Sequence, residues 1–306
     1  MIMEQFNFIF NILDQKGVGR VKANKIIQSF EKELHNETIS IGEIKSGLSS
    51  FFTLEQIEGI INNRIDNKLK IDSPEPFFIN RFNEYFPNSL KELKSNCPPI
   101  LSCLGNRELL KEKKVGFCGS RKASDKGIEV AKDVSQQVSH HGIVVVSGYA
   151  SGIDQETHYW ALKEGGATIL VLPEGITNFT IKKHLKEVWD WNRILVISEF
   201  NPNAIWSVNR AMERNTTIVA LSNVMFLIEA RVTGGSIDAG YKTLQMNKPL
   251  FAPVYNGMPE EASGNQLLLT KGALALMKKR ETDRANLDKM MELMSLTINN
   301  KTNLFE

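Results

Sequence analysis

Four stretches of the 306-residue chain carry small and charged side chains where a packed core has no use for them. In GFCGSRKAS, residues 116–124, Gly119 and Ser120 are followed directly by Arg121 and Lys122. Free N–H groups at the start of the next helix, beside one guanidinium, suit a phosphate. In VVSGYASGIDQETH, residues 145–158, Ser147 and Gly148 end an apolar run, and Gly152 opens a helix carrying Asp154 and His158. These two lie four apart and share a helical face. They admit an acid–base pair, or an aspartate capping the helix and a histidine anchoring a loop; the second reading is the simpler. In SVNRAMERNTTIVALSN, residues 207–223, Arg210 and Arg214 are also four apart and precede Asn215. Two guanidiniums on one face can hold two phosphates along a strand; a solvated basic face is the alternative. In EARVTGGSIDAG, residues 229–240, Thr233, Gly234, Gly235 and Ser236 precede a helix and offer a second nest of donors. A ligand here is anionic in each case.

The elements that position these loops follow from the apolar runs. KVGFCGS, IVVVSG, TILVLP, ILVISEF, VMFLIEA and KPLFAPV read as short strands, IVVVSG being apolar enough to be buried on both faces. Helices separate them, among them 179–190, 205–219 and 235–246. This alternation predicts an α/β fold: a doubly wound, mostly parallel sheet with right-handed crossovers and its ligand at the carboxyl ends of the strands. The sheet domain spans 106–280. Residues 1–75 have helical spacing and read as a small helical domain. Within it, KGVGRVKANKII places Gly17 and Gly19 in a turn that resembles a helix-hairpin-helix, although a plain inter-helix turn takes precedence. Residues 76–105 read as an extended connector, because prolines 74, 76, 87, 98 and 99 disfavour a long helix or central strand. The tail, 281–306, reads as a helix packing Met290, Met291, Leu293 and Met294 on the body.

Composition narrows the function. Lys and Arg number 37 against 35 Asp and Glu, so any polyanion site is local rather than a bulk effect. Cys97, Cys103 and Cys118 lack CxxC spacing, which argues against a disulfide framework or a zinc site and fits a reducing cytoplasm. The opening residues lack the basic leader and cleavage site of a signal peptide, and no apolar run is long enough to span a membrane. No GxGxxG follows the first strand and no acid ends the second, so a dinucleotide cofactor is not expected. His35, His140, His141 and His184 lack ligand spacing, so no metal is expected.

The order GFCGSRKAS, VVSGYASGIDQETH, RNTTIVALSN, GGSIDAG, KPLFAPV and GNQLLLTKGA resembles the DprA/Smf family of DNA-processing proteins, over roughly residues 75–280. The resemblance implies a Rossmann-like domain after a helical one. It implies a cytoplasmic, non-enzymatic homodimer that binds and protects incoming single-stranded DNA and loads a RecA-type recombinase during natural transformation (competence) and DNA recombination. By match to the family's Gly-Ser-Arg motif, Gly119, Ser120 and Arg121 line the phosphate pocket, with Arg210, Arg214 and Asn215 next to it. The remaining members of the expected DNA site are Lys122, Ser147, Gly148, Gly152, Asp154, Gly234, Gly235 and Ser236. Where the family has Arg-Gly-Ile-Asp, this chain has Ser151-Gly152-Ile153-Asp154, so one cation is missing. In place of a glycine-rich loop ending in Tyr-Pro it has PEGITNFTIKKHLKE, whose Lys182 and Lys183 could restore the charge and whose Phe179 could stack a base. The residues after Arg280 are too few for the winged-helix domain of some relatives.

Two alternatives use the same pocket. Phosphoribohydrolases of a related fold take a carboxylate from a Pro-Gly-Gly-x-Gly-Thr-x-x-Glu motif, whereas Thr233–Asp238 offers no matching glutamate. A small-nucleotide sensor is the other.

Overall fold

The computed structural model describes residues 2–36, 38–257 and 260–302. Four short helices lead: α1 (Gln5–Leu13), α2 (Arg20–Gln28), α3 (Ile41–Leu48) and α4 (Leu54–Asn62). Reciprocal capping boxes, Ser40 with Glu43 and Thr53 with Gln56, start α3 and α4 by satisfying the free N–H groups of the first turn. Phe8, Ile12, Ile26, Ile27, Ile44 and Ile60 form a core of their own here. The strands β1 (Ile2–Glu4) and β2 (Thr38–Ser40) pair antiparallel at its side. At three residues each they are too short for an alternating pattern to betray them.

Nine strands make the main sheet: β3 (Phe77–Asn80), β4 (Ile100–Gly105), β5 (Lys114–Cys118), β6 (Val144–Ser147), β7 (Thr168–Val171), β8 (Ile194–Ser198), β9 (Val224–Leu227), β10 (Leu250–Pro253) and β11 (Leu274–Leu276). Their order is β11-β10-β9-β5-β6-β7-β8-β4-β3. The seven strands from β11 to β8 are parallel, and every residue of β5 to β10 is buried, as two covered faces require. The short helix α5 (Asn88–Lys91) lies between β3 and β4, and helices α6 (Asp125–His140), α7 (Ile153–Lys163), α8 (Val208–Leu221), α9 (Gly235–Gln245) and α10 (Ser263–Thr270) make the crossovers. The chain winds from β5 through β6 and β7 to β8, then returns to β9 on the other side of β5. The strand order therefore reverses between β5 and β9, where an open parallel sheet leaves a crevice at its carboxyl edge.

Two expectations need correction. The proline-rich stretch is not only a connector: β3 and β4 add antiparallel to the β8 edge of the sheet. Pro98 and Pro99 stand immediately before β4 and the other three prolines lie outside both strands, so no ladder donor is lost. The helix expected over 179–190 is a 3-10 turn, Lys183–Val188. At the carboxyl side α11 (Asp288–Thr302) buries Met290 and Met294 in the cluster under α6.

Candidate nucleic-acid interface

The crevice at the β5/β9 switch holds a cavity of about 290 Å3, near the lower end for ligand pockets. Three chain segments supply most of its wall. The loop after β5 supplies Gly119, Ser120 and Arg121; the start of α9 supplies Gly235 and Ser236, with Thr233 just before it; α8 supplies Met212, Arg214 and Asn215. Hydrogen bonds tie these walls together. Ser236 Oγ donates to the Gly119 carbonyl at 2.8 Å, and Asn215 Nδ2 to the Gly235 carbonyl at 3.1 Å. The N–H of Ile153 reaches the Ser120 carbonyl at 3.2 Å, bringing in the loop after β6. Gly234 caps α9 with φ +110°, a conformation that side-chain-bearing residues rarely adopt. Gly235 and Ser236 thus line the cavity from the first turn of a helix, whose N–H groups have no intrahelical acceptor.

Arg214 is the buried cation of the cavity. Only 5% of it is exposed, and the same holds for Asp154, whose carboxylate lies 3.7 Å from Nη2. Asp154 also accepts from the N–H of Ala150 at 3.3 Å and does not cap α7. Among the described residues, this long ion pair is the one salt bridge of the guanidinium, and Glu174 adds a further attraction. Of the donors in its fork, Nε is buried with nothing to bind. Gly148 makes the seat possible, because a β carbon there would fall inside the guanidinium. Cys118 lines the floor, and burial pushes its thiol up to about 12, so it stays protonated and is a poor nucleophile.

The structure gathers Gly119, Ser120, Arg121 and Asp154 with Arg214, Asn215, Gly235 and Ser236 in one lining. It puts other expected residues in supporting places. Ser147 is fully buried and donates to the Phe117 carbonyl at 2.9 Å. Gly152, at φ +74°, lies so close to the carbonyls of Ser120 and Arg121 that a β carbon would strike them. Gly234 acts through its turn. Arg210 is outside the lining: its Nη1 donates to the Ile205 carbonyl at 2.7 Å and its head lies 5.8 Å from the Phe200 ring. Lys122 and Lys183 are exposed and also outside it. Lys182 is half-buried, with its ammonium 4.4 Å from the Tyr149 ring centre. Burial pulls its pKa below the usual lysine value, against the opposing pull of Asp154 and Glu174.

Phe179 cannot stack a base in this conformation. It is 1% exposed, packed 5.4 Å from the Tyr149 ring, 5.8 Å from Trp189 and 6.4 Å from Trp191. Its polar sequence neighbours suggest an exposed ring, but three aromatic partners from elsewhere draw it into a core. His158 anchors the loop after β6. The Gly148 carbonyl, 2.6 Å from Nε2, accepts from that nitrogen, and Nδ1 lies 2.6 Å from the Thr168 hydroxyl, which itself donates to the Val145 carbonyl at 3.0 Å. Burial depresses its pKa to about 4.

The ring that does stand at the cavity is Trp206, which sequence reasoning missed. It lines the cavity at 48% exposure, with the Arg121 guanidinium 5.7 Å from its ring centre. Val208, also exposed, lines the cavity beside it. The one signal for it is position: Trp206 directly precedes Ser207, the N-cap of α8. Among the described residues, no group of three or more His, Cys, Asp and Glu could hold a metal, and no helix is long and apolar enough to cross a membrane.

Comparison with known proteins gives this site a setting. The model of the family described as DNA recombination-mediator protein A matches residues 77–285. DNA processing protein DprA of Streptococcus pneumoniae is 31% identical over 193 residues, 62% of this chain and 67% of that protein. The X-ray structure of the S. pneumoniae DprA superposes with a TM-score of 0.72 at 25% identity, covering 90% of this chain and 95% of that one. DNA processing protein A of Helicobacter pylori, whose structure is described for its single-stranded DNA binding mode, shares the fold. Its TM-score is 0.59 at 21% identity, over 77% of this chain and 99% of that one.

Proposed function

Because the chain belongs to the DNA recombination-mediator protein A family, we propose that it is a cytoplasmic single-stranded DNA-binding protein of DNA processing in transformation. It holds the strand by its phosphates in the β5/β9 crevice. The observation that carries this reading is Arg214: a buried guanidinium that lines a cavity, held by one long ion pair and with Nε left without a partner. A buried cation so poorly satisfied is costly unless an anion completes it. A phosphodiester does so, with Arg121 and the amides of Gly235 and Ser236 as further donors. Trp206 then offers a face to the adjoining base, the sequence-neutral partner of a phosphate track. As the family resemblance implies, the protein acts as a homodimer and passes the coated strand to a RecA-type recombinase.

The chemistry of the lining supports holding rather than bond breaking. The Cys118 thiol is protonated, Asp154 is engaged by Arg214, and both ring nitrogens of His158 are bonded within the fold. Glu229, a carboxylate five residues before the Gly234 turn, accepts from both the N–H and the hydroxyl of Ser124 at the start of α6. It is thereby bound to the N-cap residue of α6 and lies outside the cavity lining. The test is a fluorescence-anisotropy titration with labelled oligothymidylate, competed by duplex DNA and by nucleoside monophosphates, with released base assayed in parallel. Oligonucleotide binding that monophosphates compete weakly, with no free base, supports the reading. Preference for a free nucleotide, or release of a base, would replace it with the sensor or the hydrolase.

A further inference from the structure

The glycine turn after α1 is a motif of the sequence that the crevice does not use. Gly17, at φ +79°, and Gly19 reverse the chain into α2, whose first residue is Arg20. This side chain does not reach for solvent. Its Nη2 lies 3.3 Å from Glu199 Oε1 and 2.5 Å from Glu213 Oε1. Glu199 is fully buried just beyond β8, and its other oxygen accepts from the Thr217 hydroxyl of α8. Glu213 and Thr217 stand one turn apart on the face of α8 turned to the hairpin, while Met212 and Asn215 stand on the face turned to the cavity.

Other contacts make this a joint rather than a single bridge. Asp14, at the end of α1, accepts from the Asn201 amide in the loop that leads to Trp206. Asn24 of α2 donates to the carbonyls of Ser95 at 3.0 Å and Cys97 at 2.7 Å, and Arg81 donates to Asn24 at 3.0 Å. The hairpin thus grips α8 and the β8–α8 loop from behind, and those two pieces carry Arg214, Asn215 and Trp206 to the cavity. A guanidinium shared by two carboxylates, one of them fully buried, holds a fixed geometry that a surface ion pair does not.

We infer that Arg20 is a positioning residue for strand binding: its joint to Glu199 and Glu213 sets the place of α8, and with it the phosphate donor Arg214. The inference rests on the crevice being the strand site. It assigns the N-terminal hairpin the role of a buttress, with no phosphate contact of its own.

The test measures oligothymidylate affinity across a salt series at 10 °C, together with the melting temperature, for the parent, Arg20→Ala, Arg20→Lys and the pair Arg20→Ala with Glu199→Gln. Arg20→Ala is expected to weaken binding by roughly three- to tenfold. The slope of log affinity against log salt stays parental, because no phosphate contact is lost. Arg20→Lys recovers part of the affinity. The double variant removes the stranded carboxylate charge, so it regains melting temperature but not affinity. Parental affinity in folded Arg20→Ala or in the double variant overturns the inference, since a merely structural contact lowers stability alone. A shallower salt slope also overturns it, by making Arg20 a direct phosphate ligand. Arg121→Ala runs alongside: if it binds as the parent does, the crevice reading itself has failed, whatever Arg20 does.

Discussion

Gly148 and Arg214 occupy adjoining space so tightly that no β carbon fits between them: one added at 148 would lie within the guanidinium. The end of β6 is therefore shaped around a cation carried by α8, a helix that enters only after β7 and β8 have been laid down. Gly148 also accepts from His158 through its carbonyl. One residue thus joins the anchored loop to the buried cation of the crevice.

Gly148→Ala is expected to push the Arg214 head out of its seat. Hydrogen bonds to a charged group contribute about 1.5–3 kcal/mol, so oligonucleotide affinity falls by roughly ten- to a hundredfold. Anisotropy titration measures it, with circular dichroism confirming that the sheet is intact. Unchanged affinity in a folded variant would show that Arg214 does not hold the strand.

Trp206→Ala removes an exposed ring without disturbing the core. Base stacking on an aromatic side chain is worth about 1–3 kcal/mol, so affinity drops accordingly while the salt slope remains. Quenching of Trp206 fluorescence on strand binding, found by comparing parent and variant, is the matching spectroscopic readout.

Phe179→Ala behaves in the opposite way. A fully buried ring packed on Tyr149 and two tryptophans is core, and its truncation costs about 3–5 kcal/mol of stability. Strand affinity of the folded fraction, measured well below the melting temperature, remains parental. Weaker binding with unchanged stability would restore Phe179 as a stacking residue.

His158 gives the protein an acid-side stability slope. Its pKa is depressed by burial from 6.5 in the unfolded chain to about 4 in the fold. Between those values the unfolded state binds the extra proton, so stability is full above pH 6.5 and falls as the pH drops toward about 4. The steepest contribution is about 1.4 kcal/mol per pH unit. Urea midpoints across this window measure it, and His158→Gln should flatten that part of the profile. A parental slope in His158→Gln would assign the effect to other groups.

The crevice was largely legible because its loops combine glycine, serine and arginine directly after apolar runs, where a doubly wound sheet puts its ligand. Depth was not legible. Arg210 and Arg214 share a periodicity, yet one bonds the Ile205 carbonyl outside the cavity while the other is sealed beneath Gly148. Periodicity reports a direction around the helix axis and says nothing of what is packed there. Phe179 and Trp206 show the same limit in reverse. The aromatic in a polar loop is buried by residues distant in sequence, while the one beside a helix cap stands open at the cavity. The strands β3 and β4 were hidden by prolines that flank them without interrupting them. The hairpin glycines were read for their backbone, whereas the contact that matters comes from Arg20 beside them.

The most direct test of a phosphate-holding crevice is the salt dependence of oligothymidylate binding by the parent and Arg121→Ala. Arg121 is exposed and carries no core contact, so its loss leaves the fold intact. The account predicts weaker binding at every salt concentration and a slope of log affinity against log salt shallower by about 0.7, the value for one single-strand phosphate contact. Superimposable titrations of the two proteins would contradict it.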